Sequence, residues 1–262
     1  MTSKMNKIIA FLVFISSVFC FSQEKFSQKI SYDLNVQVSE NNNIKEEMVL
    51  LLNQNEAVYT SQNKIKNDSV RNYYLKNNDV QGYQAYKLNN DSKNLINYFI
   101  WKNNNEYIYQ IKSGLKTVQY TSSLPQLNWQ LITNSSEEIL GYNVQKAETV
   151  YEGKKYYAWF STEIPINNGP FIFNGLPGLI LKIQNEDSSY VITAKGIKNE
   201  SNLFPELEKG KKVIETKKEN FYKTLEGTMK EVQTMVVDEQ SNKLMNKKIK
   251  QYLDSKFLFD VN

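Results

Sequence analysis

The chain has 262 residues, 40% of them apolar, 13% aromatic and 23% charged, with a formal net charge of +4. It contains no histidine, and its one cysteine is Cys20. These counts exclude Ser-His-Asp and Cys-His catalysis, zinc centres built on His or Cys, histidine-ligated haem and cysteine-held clusters.

Residues 1–7 carry Lys4 and Lys7 and no acid, and residues 8–21 are apolar apart from Ser16 and Ser17. That run is shorter than the ~20 residues of a membrane span and fits a secretory signal peptide, 1–22, cut after Ser22. Two other readings are a buried N-terminal element and a lipoprotein acylated at Cys20, although Phe19 stands where such signals want a small residue. Export implies a periplasmic, cell-surface or extracellular destination, with no transmembrane span in the mature chain. Cleavage removes two lysines and leaves a formal charge of +2. Arg71 is the only arginine. Arginine is the preferred fork for phosphate and guanine, so no nucleic-acid partner is expected.

Period-two alternation dominates the next two thirds. Strands are expected at 29–38, with Ile30, Tyr32, Leu34, Val36 and Val38 on one face, and at 47–52 and 57–61. Residues 62–94 are polar and rich in Asn and Lys, and read as a mobile insertion or lid with short structure. Strands at 95–102 and 106–111 flank the Asn run 103–105, and shorter ones follow at 116–121 and 129–132. The clearest hairpin joins 143–151 to 154–161 through Glu152-Gly153, and another joins 179–184 to 189–197. Past Pro205 the period changes. Thr216-Lys217-Lys218-Glu219 reads as a capping box, and Phe221, Tyr222, Leu225, Met229 and Val232 share one helical face. A second short helix is expected around Leu244, Ile249, Tyr252 and Leu253. Strands first and helices last predict an α+β fold, a mainly antiparallel curved sheet shaped as a half-barrel or bowl with C-terminal helices. A single domain over 23–262 is expected.

Between 139 and 183 stand Gly141-Tyr142, Ala158-Trp159-Phe160, Ile164-Pro165, Gly169-Pro170 and Gly175-Leu176-Pro177-Gly178-Leu179-Ile180. This ensemble resembles the GLPGLI family of exported proteins of unknown function. The resemblance is strong over about 45 residues and weak in 62–94 and after Glu200. Phe160 stands where the pattern has Tyr as often. At the level of fold the chain also resembles the half-barrels of periplasmic lipoprotein carriers and bowl-shaped domains attached to secreted glycan-releasing enzymes.

Physically, Gly175 and Gly178 suit positive φ or close backbone approach, and Pro177 fixes φ between them. The hexapeptide therefore reads as a rigid corner that launches a strand, or as a cavity rim lined by Trp159, Pro170 and Leu176. None of its residues transfers protons. Glu163 is the most interesting remaining carboxylate, and its ordinary role is to cap a turn or pair with a lysine. A glycosidase needs two carboxyls about 5–10 Å apart, and no second one can be named. Adjacent tyrosines at 73–74 and 156–157 are expected to split between the faces of strands. No metal site or cofactor is expected.

The leading expectation is a non-enzymatic exported protein that holds an apolar ligand, a lipid or a lipidated partner on the concave sheet. The alternative is an accessory protein-interaction module of an outer-membrane uptake or glycan-handling system. A carboxylate hydrolase ranks third.

Overall fold

The computed structural model describes residues 26–39, 42–89, 96–103, 105–113, 116–200, 205 and 207–234. The expected signal peptide with Cys20 and the helix expected around 244–253 lie outside the described residues. Strands β1 (Gln28–Ser39), β2 (Asn42–Leu52) and β3 (Ala57–Ser61) are followed by helices α1 (Gln62–Lys76) and α2 (Val80–Asn89). Next come β4 (Tyr98–Lys102), β5 (Glu106–Ser113), β6 (Lys116–Ser123), β7 (Gln130–Ile139), β8 (Tyr142–Tyr151) and β9 (Lys154–Ser161). The chain continues through β10 (Leu179–Asn185), β11 (Tyr190–Asn199), β12 (Val213–Glu215) and α3 (Phe221–Thr234). The twelve strands among the described residues form one sheet in the order β12-β6-β5-β4-β3-β2-β1-β11-β10-β9-β8-β7. Every described pairing is antiparallel except β12 with β6, so the fold is α+β as expected.

Alternation decides which face each residue covers. On β1, Ile30, Tyr32, Leu34 and Val36 are buried between exposed Asp33, Asn35 and Gln37. In the middle of the sheet both faces are covered, and all five residues of β3 are buried. One face carries the main core, which includes Tyr32, Leu50, Tyr59, Ile100, Tyr109 and Phe160. The other carries Phe26, Val49, Leu51, Val58 and Phe99, with Ile65 of α1 packed on them.

The sheet curves toward the main core. The segment 162–178 crosses that face, and its rings link distant strands. Phe171 lies 6.4 Å from Tyr98 on β4, Phe173 lies 6.4 Å from Phe171, and Tyr156 on β9 lies 4.9 Å from Phe173. A flat sheet would separate β4 from β9 by roughly 29 Å at ~4.8 Å per strand. Three short ring contacts span that gap because the strands bend around the segment. Phe221 of α3 fills the same hollow, 5.3 Å from Tyr109 and 5.0 Å from Tyr120.

The turns follow from residue chemistry. Leu140-Gly141 and Glu152-Gly153 each place two positive φ values in succession, the pattern of a two-residue hairpin whose twist suits the strands. Asn103 Oδ1 accepts from the backbone N–H of Asn105 and Glu106, both at 2.9 Å, closing the β4–β5 turn.

Two sequence expectations need correction. Residues 62–89 hold two helices, α1 and α2. Ser61 starts α1: its hydroxyl accepts from Lys64 N–H at 3.2 Å and donates to buried Glu46. Tyr73 and Tyr74 therefore sit on a helix instead of a strand, with Tyr74 packed 6.1 Å from both Tyr83 and Tyr86. The capping box is not formed. The residue that precedes the short 3-10 turn is Lys217, whose side chain has no acceptor to cap with, and the Thr216 N–H that Glu219 would take donates to Gln119 O at 3.0 Å. Residues 213–215, to which the sequence pattern assigns no element, form strand β12 on the sheet edge.

Candidate functional site

The proline- and glycine-rich segment is a corner. Gly175 has φ +93, and its N–H meets Asn167 Oδ1 at 2.5 Å. Gly178 has an ordinary φ but no room: a Cβ there would stand 2.0 Å from the carbonyl oxygen of Ser161. Leu176, Leu179 and Ile180 are buried and Pro177 is exposed. A bulge follows Ile180 on its pairing with β9, and the Ile180 carbonyl accepts from Tyr32 Oη at 2.9 Å.

Trp159, Pro170 and Leu176 are all buried. Trp159 points away from the face on which Tyr156 meets Phe173, and its indole lies under Lys182 at 4.1 Å and Lys146 at 4.7 Å. Pro170 lies in the segment on the concave side, next to Phe171. Where the sequence suggests a ligand on the concave face, the structure has the chain's own Phe171, Ile172, Phe173 and Phe221, each buried. Glu163 is exposed, and its carboxylate accepts from the N–H and side-chain amide of Asn143 at 3.1 and 3.2 Å. It ties one hairpin to the corner.

A cleft of about 930 Å³ lies on the convex side, between α1, the outer face of β4–β6, Pro205 and residues 207–209. Its apolar wall is Phe26, Ile65, Phe99, Trp101, Ile108 and Leu207. Phe26 and Trp101 meet edge to face at 5.7 Å. Its polar wall has four cations, Lys64, Arg71, Lys112 and Lys209, against three acids, Glu56, Asp68 and Glu208.

The charges are organised around Arg71 and Glu208. Lys64 Nζ donates to Asp68 at 2.8 Å and sits 4.3 Å above the Phe99 ring. Burial pulls the Lys64 ammonium below the usual lysine range, and Asp68 opposes that. Arg71 faces Asp68 at 3.8 Å and Glu208 at 3.6 Å. Glu208 also accepts from Lys112 Nζ and Thr117 Oγ1. Burial alone would raise its carboxyl. The hydrogen bonds from Lys112 and Thr117, with the charges of Lys112 and Arg71, outweigh that and hold it below the usual range. The backbone of Glu208 is clamped by Gln110, whose amide donates to Glu208 O at 3.0 Å and accepts from its N–H at 3.1 Å.

No sequence pattern marks the cleft residues as a site. One signal was available, since Arg71 is the chain's only arginine and stands beside a dense apolar stretch. Among the described residues no group of three or more His, Cys, Asp or Glu is arranged to hold a metal ion. No described helix is long and apolar enough to cross a membrane.

The fold defines a curved, open antiparallel sheet with helices on both faces. A family model described as "Protein of unknown function (Porph_ging)" matches residues 86–182, the stretch from the end of α2 through the hexapeptide. The structure of PNGF-II in one crystal form is 17% identical, covers 78% of this chain and 34% of its own, and superposes with a TM-score of 0.50. A second crystal form gives 18%, 78%, 33% and 0.51. At that identity the likeness is one of fold alone, and this chain spans about a third of the length of PNGF-II. An uncharacterized conserved protein from Thermus thermophilus is 11% identical, with coverage of 72% and 91% and a TM-score of 0.37. No curated protein matches the chain.

Proposed function

We propose that the chain is an exported, non-enzymatic binding protein of the GLPGLI type, and that its ligand occupies the convex cleft beside α1. The observation that carries this reading is the cleft itself. Its volume of about 930 Å³ falls within the ~300–1,000 Å³ of small-molecule sites. It joins an aromatic wall to a charged one, which suits a ligand with an apolar body and a polar end. Export rests on the charged and apolar runs of residues 1–22. The partner is a lipid or a lipidated molecule rather than a nucleic acid.

The chemistry of the cleft favours binding over hydrolysis. A carboxyl that donates a proton near neutral pH needs its pKa raised. Glu208 is held the other way by Lys112, Thr117 and Arg71. Glu163 stands exposed at a turn, outside the cleft lining.

Native mass spectrometry tests the reading. Residues 23–262 are purified gently from an exporting host, and bound material is extracted with solvent. A stoichiometric apolar or amphiphilic adduct is expected. A bare protein mass that stays bare after incubation with envelope lipids contradicts it.

A further inference from the structure

Arg71 is incompletely used. Its two ion pairs, at 3.6 and 3.8 Å, are longer than the ~2.7–2.9 Å of a charge-assisted hydrogen bond. Its Nε is buried and has no hydrogen-bond partner. A guanidinium offers five donors in a fork that matches a carboxylate or phosphate. Glu208 meets this fork from residues 207–209, which form one rim of the cleft and enter no strand. If Glu208 withdraws, Arg71 and Lys112 face the cavity without an acid between them. The cleft then carries four cations against two acids.

We propose that Arg71 and Lys112 form an anion subsite, that Glu208 is its internal occupant in the free protein, and that the ligand is an anionic single-chain amphiphile whose head group displaces Glu208. The apolar part of that ligand lies along Trp101 and Ile108, both half-buried in the cleft lining. The inference rests on the convex cleft being the binding site and adds the charge and polarity of the ligand to it. The net positive wall selects against cationic amphiphiles. The competition with Glu208 makes affinity depend on how firmly Gln110 holds the segment.

The test uses residues 23–262 and calorimetric titration with dodecanoate, dodecanol and dodecyltrimethylammonium, each below its micelle concentration. Dodecanoate is expected to bind about tenfold or more tightly than either comparator. R71Q should lose about tenfold for dodecanoate while dodecanol is unaffected. R71K keeps the charge without the fork and should fall between. E208Q should bind dodecanoate several-fold more tightly, since the internal competitor has lost its charge. Melting curves confirm that each variant is folded. If dodecanoate and dodecanol bind alike, and neither R71Q nor E208Q changes dodecanoate, the anion subsite is refuted and the cleft reading survives. If none of the three probes binds the folded protein, the cleft reading fails as well.

Discussion

Lys102 donates from Nζ to the carbonyl of Gly169 at 2.7 Å, pinning the segment 162–178 to β4 across the concave face. The same nitrogen donates to Asn168 Oδ1 at 2.7 Å, so a buried cation is held by two neutral oxygens. Burial pushes the Lys102 ammonium down to about 7. The unfolded chain keeps that proton up to the ordinary lysine value of 10.5. Between about pH 7 and 10 the unfolded state binds more protons, so stability should rise with pH across that window. Denaturant midpoints at pH 7, 8 and 9 check this, and Lys102→Met should remove the slope. Lys102→Met should also cost about 1–3 kcal/mol at pH 9, because two acceptors lose their donor.

Above pH 10 the sign reverses. Burial holds the hydroxyls of Tyr32, Tyr59, Tyr98 and Tyr190 well above the ordinary tyrosine value of 10.0. The unfolded chain releases these protons near pH 10 and the folded one does not. The stability they contribute is complete below that pH and is lost above it. Unfolding followed by tyrosinate absorbance should show the buried tyrosines titrating only as the fold is lost. Normal titration of all tyrosines in the folded protein would contradict this.

Gly175 and Gly178 fail for different reasons when replaced by alanine. Gly175→Ala forces a side chain into φ +93 and should cost about 1 kcal/mol. Gly178→Ala drives a methyl into the Ser161 backbone, 2.0 Å from its oxygen, and should cost about 1–3 kcal/mol or more. Thermal melts that rank Gly178→Ala as the milder change would overturn this account of the corner.

Ser61 carries two duties, the α1 cap and the bond to buried Glu46. Ser61→Ala should cost about 1–2 kcal/mol. It should raise hydrogen exchange at the start of α1 before any other helix. Because α1 is a wall of the cleft, ligand affinity should fall with it.

The strands were legible because alternation is local: Ile30, Tyr32, Leu34 and Val36 declare a buried face within a single element. The hairpin turns were equally plain from Glu152-Gly153. Helix α1 was not, because it carries Asn, Lys and Asp around one inward Ile65 and has almost no apolar stripe. Its start uses Ser61 with Lys64 three residues on, which lacks the acid of a capping box. The cleft was illegible for a topological reason. Phe99 and Gln110 face each other across β4–β5, but Arg71 and Glu208 come together from 137 residues apart in sequence. Composition showed that Arg71 is alone among arginines but could not show what it faces. The aromatic load did announce a curved sheet, yet the space it encloses is taken by Phe171, Phe173 and Phe221.

The most direct test of the binding account is hydrogen–deuterium exchange of residues 23–262 with and without saturating dodecanoate. The account predicts slowed exchange in α1, in β4 and β5 around Trp101 and Lys112, and a change at 207–209 as Glu208 is displaced. Protection confined to the strands around Trp159 and Leu176, with α1 and 207–209 unchanged, would place the ligand elsewhere and contradict it.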